Sequence, residues 1–242
     1  MNYLIILLTV LPIIFIGFYF YYKDTLKEPK KILQKLFLSG ILSGIIVIVV
    51  SIIILSIFPS ILNIQNANFF KTFLYSFILV ALIEELAKFF MIYKISYNHK
   101  EFDQAYDILL YSVFVGLGFA CFENFLYVGS NDNSIFVAIF RGITAIPAHA
   151  CFQTFMGYYL SLSKQNEKKK KKYLKLSIIV PIILHGTYDF LLLSGNILLV
   201  CLFLIFLVSM FIITILKVKE LVKIDEYSLK NSTKSNWYYF FF

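Results

Sequence analysis

The chain has 242 residues, of which 60% are hydrophobic and 15% are charged, and its formal net charge is +8. This composition lies outside the range of soluble domains, so it argues against a water-soluble enzyme or binding module and indicates an integral membrane protein. The three cysteines lie within apolar stretches and form no C-x-x-C pair, which argues against a disulfide framework and a paired-cysteine zinc site.

Seven stretches are long enough to cross a bilayer, because about 20 apolar residues suffice for a membrane-spanning helix. In chain order their approximate bounds are 3–22, 36–58, 69–93, 105–128, 135–162, 173–194 and 196–217. We therefore predict an all-α fold, a polytopic transmembrane helical bundle of about seven spans that forms a single membrane domain over 1–242. The first stretch lacks a basic leader and a cleavage site of small residues, so we expect it to be retained as a span.

Basic residues alternate between the loops that join these spans. Of the 22 lysines and arginines, 19 lie in the first, third and fifth loops or in the tail 217–242. Basic loops are cytoplasmic, so this pattern predicts a multi-pass protein of the cell membrane with its N-terminus outside and a cytoplasmic C-terminal tail. The run Lys168–Lys172 permits nucleic-acid contact in principle. We interpret it instead as a loop that faces anionic headgroups of the lipid bilayer, and we predict no nucleic-acid partner.

The third predicted span carries Glu84, Glu85 and Lys88 near its middle, in the stretch ALIEELAKFF. Lys88 can pair with either glutamate because it follows them by four and three residues, while the glutamates point about 100° apart around the helix. The lysine can therefore hold one carboxylate and leave the other free. A charge that faces lipid costs roughly 2.5 to 3.5 kcal/mol on insertion scales, so these groups must face the bundle interior.

The next three predicted spans also contain polar side chains. These are Glu123 and Asn124 in GLGFACFENFLY, Arg141 and His149 in RGITAIPAHACFQTFMG, and His185 and Asp189 in HGTYD. His185 and Asp189 are four residues apart, so we expect Asp189 to orient His185 through a hydrogen bond. Pro147 and Pro181 precede the two histidines, and we expect both helices to kink there and to open a cavity.

The cost of burying charge favours one shared chamber. Six charged side chains in lipid would cost on the order of 15 to 20 kcal/mol, so they must face one another. With neutral histidines, four carboxylates and two cations leave a charge of minus two, which protons, protonated histidines or one divalent metal ion would neutralise. We interpret Lys88 and Arg141 as salt-bridge partners, and the histidines with the glutamates as a functional site.

The ordered set EELAK, GLGFACFENFLY, RGITAIPAHACFQTFMGYY and LHGTYDF resembles the PrsW-type intramembrane proteases. These form a branch of a wider group with the type II CAAX prenyl endopeptidases, bacteriocin-processing and immunity relatives, and the Aph subunit of γ-secretase. The resemblance covers about residues 69–194, which we predict to be a four-helix catalytic core. It implies an intramembrane endopeptidase that cuts a membrane-anchored, single-pass protein such as an anti-sigma factor on its extracytoplasmic side. The prenyl-protease motifs EE-x-x-x-R and F-x-x-x-H are missing, which argues against a CAAX substrate.

Carried over by position, the family's motifs assign catalytic roles to Glu84, Glu85, His149 and His185, and supporting roles to Lys88, Glu123, Asn124, Arg141 and Asp189. Two mechanisms remain open at this stage. In one, Glu84 activates a water that His149 also holds, and His185 stabilises the oxyanion. In the other, His149, His185 and a carboxylate bind one Zn²⁺ while Glu84 acts as the base.

Two other functions would also place ionisable side chains inside a helical bundle. A proton-coupled transporter does so, but we find no repeated halves in this sequence. A non-catalytic scaffold or an immunity-type protein of the same fold is the other alternative. The presence of the full motif set favours catalysis.

Overall fold

The computed structural model describes the backbone of residues 3–58 and 68–240 and the side chains of residues 3–58 and 68–231. Within these ranges the chain is helical and contains no strand. The helices are α1 (Tyr3–Lys23), α2 (Lys30–Ile57), α3 (Phe69–Leu74), α4 (Leu82–Ser96), α5 (Asp107–Gly129), α6 (Ser134–Ile143), α7 (Ala145–Gln165), α8 (Lys170–Leu193) and α9 (Ile197–Phe240). A π-helical turn, Tyr75–Ala81, joins α3 to α4. The predicted all-α polytopic bundle is confirmed.

Six helical stretches of the described chain are long and apolar enough to cross a membrane. They are Tyr3–Lys23, Lys30–Ile57, Asp107–Gly129, Ser134–Gln165, Glu167–Leu193 and Ile197–Asn231. The predicted third span is the helical run from α3 through the π-helical turn to α4, and it differs from these six because Glu84, Glu85 and Lys88 interrupt its apolar sequence. The protein is therefore a multi-pass membrane protein.

Helix α5 lies at the centre of the bundle and packs against both α2 and α7. Each of the two helices contributes a glycine to the contact between α5 and α2. A Cβ added to Gly40 of α2 would collide with the carbonyl of Val115, and one added to Gly118 of α5 would collide with the carbonyl of Phe37. Small residues allow the backbones of membrane helices to approach this closely. The close packing places the polar residues of α5 within reach of the neighbouring helices.

We expected a kink in the helix that carries His149, and the structure instead has a break between two helices, α6 and α7. Helix α6 ends at Ile143, and Pro147 lies in the first turn of α7. Backbone N–H groups in the first turn have no intrahelical acceptor, so the missing N–H of the proline costs no hydrogen bond there. Pro181 lies inside α8, which continues as a helix to Leu193.

Helix α9 extends well past residue 217, where we predicted the tail to begin. Val218 and Leu221 are fully buried. The carboxylate of Asp225 accepts hydrogen bonds from the backbone N–H groups of Ala105 (2.8 Å) and Tyr106 (2.9 Å) at the start of α5. The first part of the predicted tail is therefore packed against the bundle.

The loop between α1 and α2 contains a buried carboxylate, Glu28. Its Oε2 accepts a hydrogen bond from the Tyr111 hydroxyl at 2.6 Å. Burial raises the pKa of Glu28 to about 7, and the hydrogen bond from Tyr111 offsets only part of this effect. Ionised Glu28 therefore destabilises the folded protein.

We expect Glu28→Gln to stabilise the protein above about pH 7 and to have little effect near pH 4. The folded pKa lies above the unfolded one, so the wild type loses stability as the pH rises from 4.5 to about 7. Glutamine keeps an oxygen acceptor for Tyr111 and carries no charge to desolvate. Melting temperatures of both proteins in detergent across this range measure the difference, and parallel pH profiles would contradict the prediction.

Candidate active site

The side chains of all nine predicted site residues form one connected polar chamber. They come from α4 (Glu84, Glu85, Lys88), α5 (Glu123, Asn124), α6 (Arg141), α7 (His149) and α8 (His185, Asp189). Glu84, Glu85 and Lys88 are buried, as the cost of placing charges in lipid requires.

The ammonium group of Lys88 is fully buried and saturated with contacts. It donates to Glu85 Oε1 at 2.6 Å and lies 3.4 Å from both Glu84 Oε2 and His149 Nδ1. Its fourth neighbour is the ring of Phe119, whose centroid is 4.0 Å away. An ammonium group has three N–H donors and three acceptors are present, so every donor of Lys88 is engaged. Its ion pairs with both glutamates are those that the helical spacing predicts.

Both carboxylate oxygens of Glu85 are occupied. Oε1 accepts from Lys88 and from His185 Nδ1, the latter at 2.8 Å, and Oε2 accepts from Gln153 Nε2 at 2.7 Å. The residue has no exposed surface. Glu85 was predicted to be catalytic, whereas its contacts suit a group that positions other side chains.

Glu84 is held less tightly than Glu85. Its contacts are longer, 3.4 Å to Lys88 and 3.9 Å to His185 Nε2, and it retains 7% of its surface exposed. Lys88 therefore holds Glu85 closely and Glu84 loosely, a difference that the helical spacing of the two glutamates allows.

The contacts of His149 identify its tautomer. An ammonium group can only donate, so His149 Nδ1 must accept from Lys88. In the neutral ring Nε2 then carries the proton, and it donates to Glu123 Oε2 at 2.8 Å. His149 is fixed between a cation and a carboxylate.

Glu123 joins the chamber and also pairs with Arg141. Arg141 Nη2 is 2.8 Å from Glu123 Oε2, and Arg141 Nε donates to Asn124 Oδ1 at 2.8 Å. The guanidinium group also lies 4.0 Å from the ring centroid of Tyr127. Arg141 is thus a salt-bridge partner, as predicted.

His185 is oriented mainly by Glu85. Its Nδ1 lies 2.8 Å from Glu85 Oε1, whereas its Nε2 is 3.4 Å from Asp189 Oδ2. The expectation that Asp189 makes the orienting hydrogen bond is therefore corrected. Phe152 stacks on the imidazole with a centroid distance of 4.8 Å, and together these contacts direct Nε2 towards Glu84 and Asp189.

A cavity of about 300 Å³ adjoins the chamber. It is lined by polar groups including Glu123, Arg141, His149, His185 and Asp189, and by apolar and aromatic side chains. Its lining residues Tyr127 and Leu193 lie near the ends of α5 and α8 that are remote from the lysine-rich loops. The cavity therefore belongs to the half of the bundle away from the lysines.

Gln153, which is fully buried and binds Glu85, was not among the predicted site residues. It lies one helical turn after His149, and a polar side chain at that spacing inside an apolar span was the available signal. It packs against Gly116, where a Cβ would collide with the Gln153 side chain. The sequence also gave no sign of the π-helical turn before Glu84, a type of distortion often found at functional sites.

The chamber offers two groups of potential metal ligands within the described chain. Ligand atoms lie within 4.8 Å of one another in Glu84, Glu85 and His185, and likewise in Glu84, Glu123 and His149. Each group combines carboxylate oxygens with one imidazole, a donor set that suits Zn²⁺. The predicted zinc ligands His149 and His185 thus fall into separate groups that share Glu84.

Comparison with known proteins gives a consistent result. Residues 28–216 match the family described as PrsW family intramembrane metalloprotease. A protein named Protease PrsW from Geobacillus kaustophilus is 37% identical over 73% of this chain and 74% of its own length. Those from Oceanobacillus iheyensis and Bacillus subtilis are each 34% identical over 72% of this chain and 76% of their own lengths. No solved structure matches the chain.

Gly186 permits the contact that places His185, because a Cβ at this position would collide with the ring of Phe77 in the π-helical turn. We expect Gly186→Ala to destabilise the protein by roughly 1 to 3 kcal/mol, since overpacking forces neighbours apart. The matched control is Gly129→Ala, where a Cβ meets nothing within 4 Å.

Combining Gly186→Ala with Phe77→Ala should cost less than the sum of the single changes, because the new methyl group then enters vacated space. Unfolding in detergent for the single and double variants measures this coupling. Strict additivity would show that Phe77 and Gly186 do not constrain each other.

Proposed function

Because the chain belongs to the PrsW family of intramembrane metalloproteases, we propose that it hydrolyses a peptide bond of a single-pass membrane protein, such as an anti-sigma factor, in the chamber around Glu84. It is a membrane protease, since relatives that share about three quarters of their length with it bear that name. The transporter and scaffold alternatives receive no support from these relatives.

One observation carries the proposed mechanism: Glu84, a loosely held carboxylate, lies next to two imidazoles that line a cavity. A water between Glu84 and His149 would be suitably placed for activation, because ligand atoms of these two residues and Glu123 lie within 4.8 Å of one another. Glu84 takes a proton from this water as the hydroxide oxygen attacks the scissile carbonyl carbon.

The remaining groups stabilise charge and hold geometry. In the route without a metal ion His185 is an imidazolium: Nδ1–H donates to Glu85, and Nε2–H donates a hydrogen bond to the developing oxyanion. Glu85, held by Lys88 and Gln153, keeps the ring in place through Nδ1. When the tetrahedral intermediate collapses, the C–N bond breaks and Glu84 returns its proton to the leaving amine nitrogen.

A metal ion would be held best by Glu84, Glu123 and His149. Glu123 and His149 line the cavity, and an ion bound there would replace the proton on one His149 nitrogen and the contact that this nitrogen now makes, whereas the other group includes Glu85, which is fully buried and accepts three hydrogen bonds. When bound there, Zn²⁺ would supply Lewis-acid polarisation and lower the pKa of its water towards about 7. One divalent ion would also neutralise the charge of minus two that the sequence leaves in the chamber.

The position of the cavity suits cleavage near the outer end of a substrate span. The cavity lies in the half of the bundle away from the lysine-rich loops, and the positive-inside rule assigns that half to the extracytoplasmic side. Tyr75, Phe140 and Leu192 supply apolar and aromatic surface at which a substrate side chain would pack.

We expect Glu84→Gln to lower the cleavage rate by about 10² to 10⁴ while changing stability little, because the variant lacks the general base and loses only long contacts. Glu85→Gln should lower both activity and stability. It removes the ionised partner of buried Lys88, and breaking a buried ion pair costs roughly 3 to 5 kcal/mol. Cleavage of a single-pass reporter in proteoliposomes, with melting temperatures in detergent, separates the two effects. Full cleavage by Glu84→Gln would refute its role as the base.

We expect Glu123→Gln and His149→Ala to weaken zinc binding at least about tenfold, and His185→Ala to leave it nearly unchanged. Zinc bound per purified chain, measured by elemental analysis after dialysis, tests this without reference to activity. Equal zinc loss in the His185 and His149 variants would assign the ion to both imidazoles. Chelator-resistant cleavage by the wild type would eliminate the metal route and leave Glu84 as the sole water-activating group.

A further inference from the structure

A groove separates α1 and α2 on the lipid-facing surface of the bundle. The two helices are joined by a short loop, and both pack against α5, so a cavity of about 620 Å³ opens between them. Its walls include Ile13 and Gly17 of α1 and Leu33 and Phe37 of α2, and Leu117 of α5 lies at its floor. Almost all of its surface is apolar.

The groove is as long as one leaflet is thick. Its lining runs from Val10 to Tyr21 on α1 and from Lys30 to Leu38 on α2. At about 1.5 Å per residue these stretches are roughly 16 Å and 12 Å long, close to half of the ~30 Å hydrocarbon core. The groove begins at the lysine-rich loop, so it lies in the leaflet on that side.

The end of the groove at this loop carries two unengaged polar side chains. Lys30 and Gln34, one helical turn apart, line the groove, are exposed, and make no hydrogen bond or ion pair with other residues of the described chain. Neighbouring Lys27 is already committed, because its ammonium donates to the backbone carbonyls of Tyr21 and Tyr22. The nearby carboxylate of Glu28 turns away to accept from Tyr111. Lys30 therefore presents an unneutralised positive charge above an apolar slot.

We propose that this groove binds one anionic phospholipid of the cytoplasmic leaflet, with an acyl chain along the apolar slot and the phosphate at Lys30 and Gln34. Basic pockets between membrane helices on the cytoplasmic side suit anionic headgroups. The Lys30 ammonium and the Gln34 amide donate to phosphate oxygens.

The positive charge at the loop end of the groove favours an anionic headgroup over an apolar protein segment as its occupant. The lipid site is also separate from the catalytic chamber. It uses the face of α5 that carries Phe114, Leu117 and Cys121, whereas Glu123 faces α6 and α7.

Native mass spectrometry of the full chain, titrated with phosphatidylglycerol or with phosphatidylcholine of the same acyl chains, tests the proposal. We expect the wild type to bind one phosphatidylglycerol about fivefold or more tightly than phosphatidylcholine, as one basic residue at an anionic surface allows. Lys30→Gln should abolish this preference. Lys31→Gln, an exposed neighbour that does not line the groove, is the matched control and should retain it.

A second variant tests the apolar slot. Gly17→Leu places a side chain in the groove, where a Cβ meets only ordinary contacts with Leu117 and Phe114, so the fold should tolerate it. It should weaken binding of both lipids, whereas Leu7→Phe, on lipid-facing surface outside the groove, should not. Equal losses in the Lys30 and Lys31 variants, or no preference for phosphatidylglycerol in the wild type, would overturn the proposal.

Discussion

The pairing of Lys88 with Glu85 is the interaction on which the rest of the site depends. Neither side chain has any exposed surface, and their charged atoms are 2.6 Å apart. A buried ion pair recovers its desolvation cost only when the remaining donors and acceptors are also satisfied. Here Glu84, His149, His185 and Gln153 satisfy them, so the need to neutralise one lysine brings α4, α7 and α8 together.

The same requirement explains why two adjacent glutamates behave differently. Helical geometry points them about 100° apart, so only one can face Lys88 and His185 at short range. Glu85 occupies that position and is held by three donors, while the contacts of Glu84 with Lys88 and His185 are longer. An acid–base residue must exchange protons with water, and a saturated carboxylate is unsuited to do so. The tight pair thus leaves Glu84 as the less constrained carboxylate, which is what the proposed mechanism requires of it.

Sequence patterns predicted the helical bundle, the meeting of the charged residues and the partial pairing of Lys88, because each follows from helix periodicity and the cost of charge in lipid. They did not predict contacts that depend on how helices rotate against one another. Glu85 orients His185 in place of Asp189 because the partner across the interface comes closer than the partner one turn away. The contact of Gln153 with Glu85 depends on the same rotation, and the division of the imidazoles between two ligand groups follows from the packing of α7 against α8.

The way the chamber is sealed determines which side supplies its water. The half of α5 nearest the lysine-rich loops is closely packed, and Leu109, Leu110 and Val113 are fully buried there. Asp225 of α9 further closes this end by capping the start of α5. At the other end the cavity reaches Tyr127 and Leu193, near the helix termini. The cavity therefore gives water a route into the chamber from the end away from the lysines, and under the proposed function the scissile bond approaches from that same end.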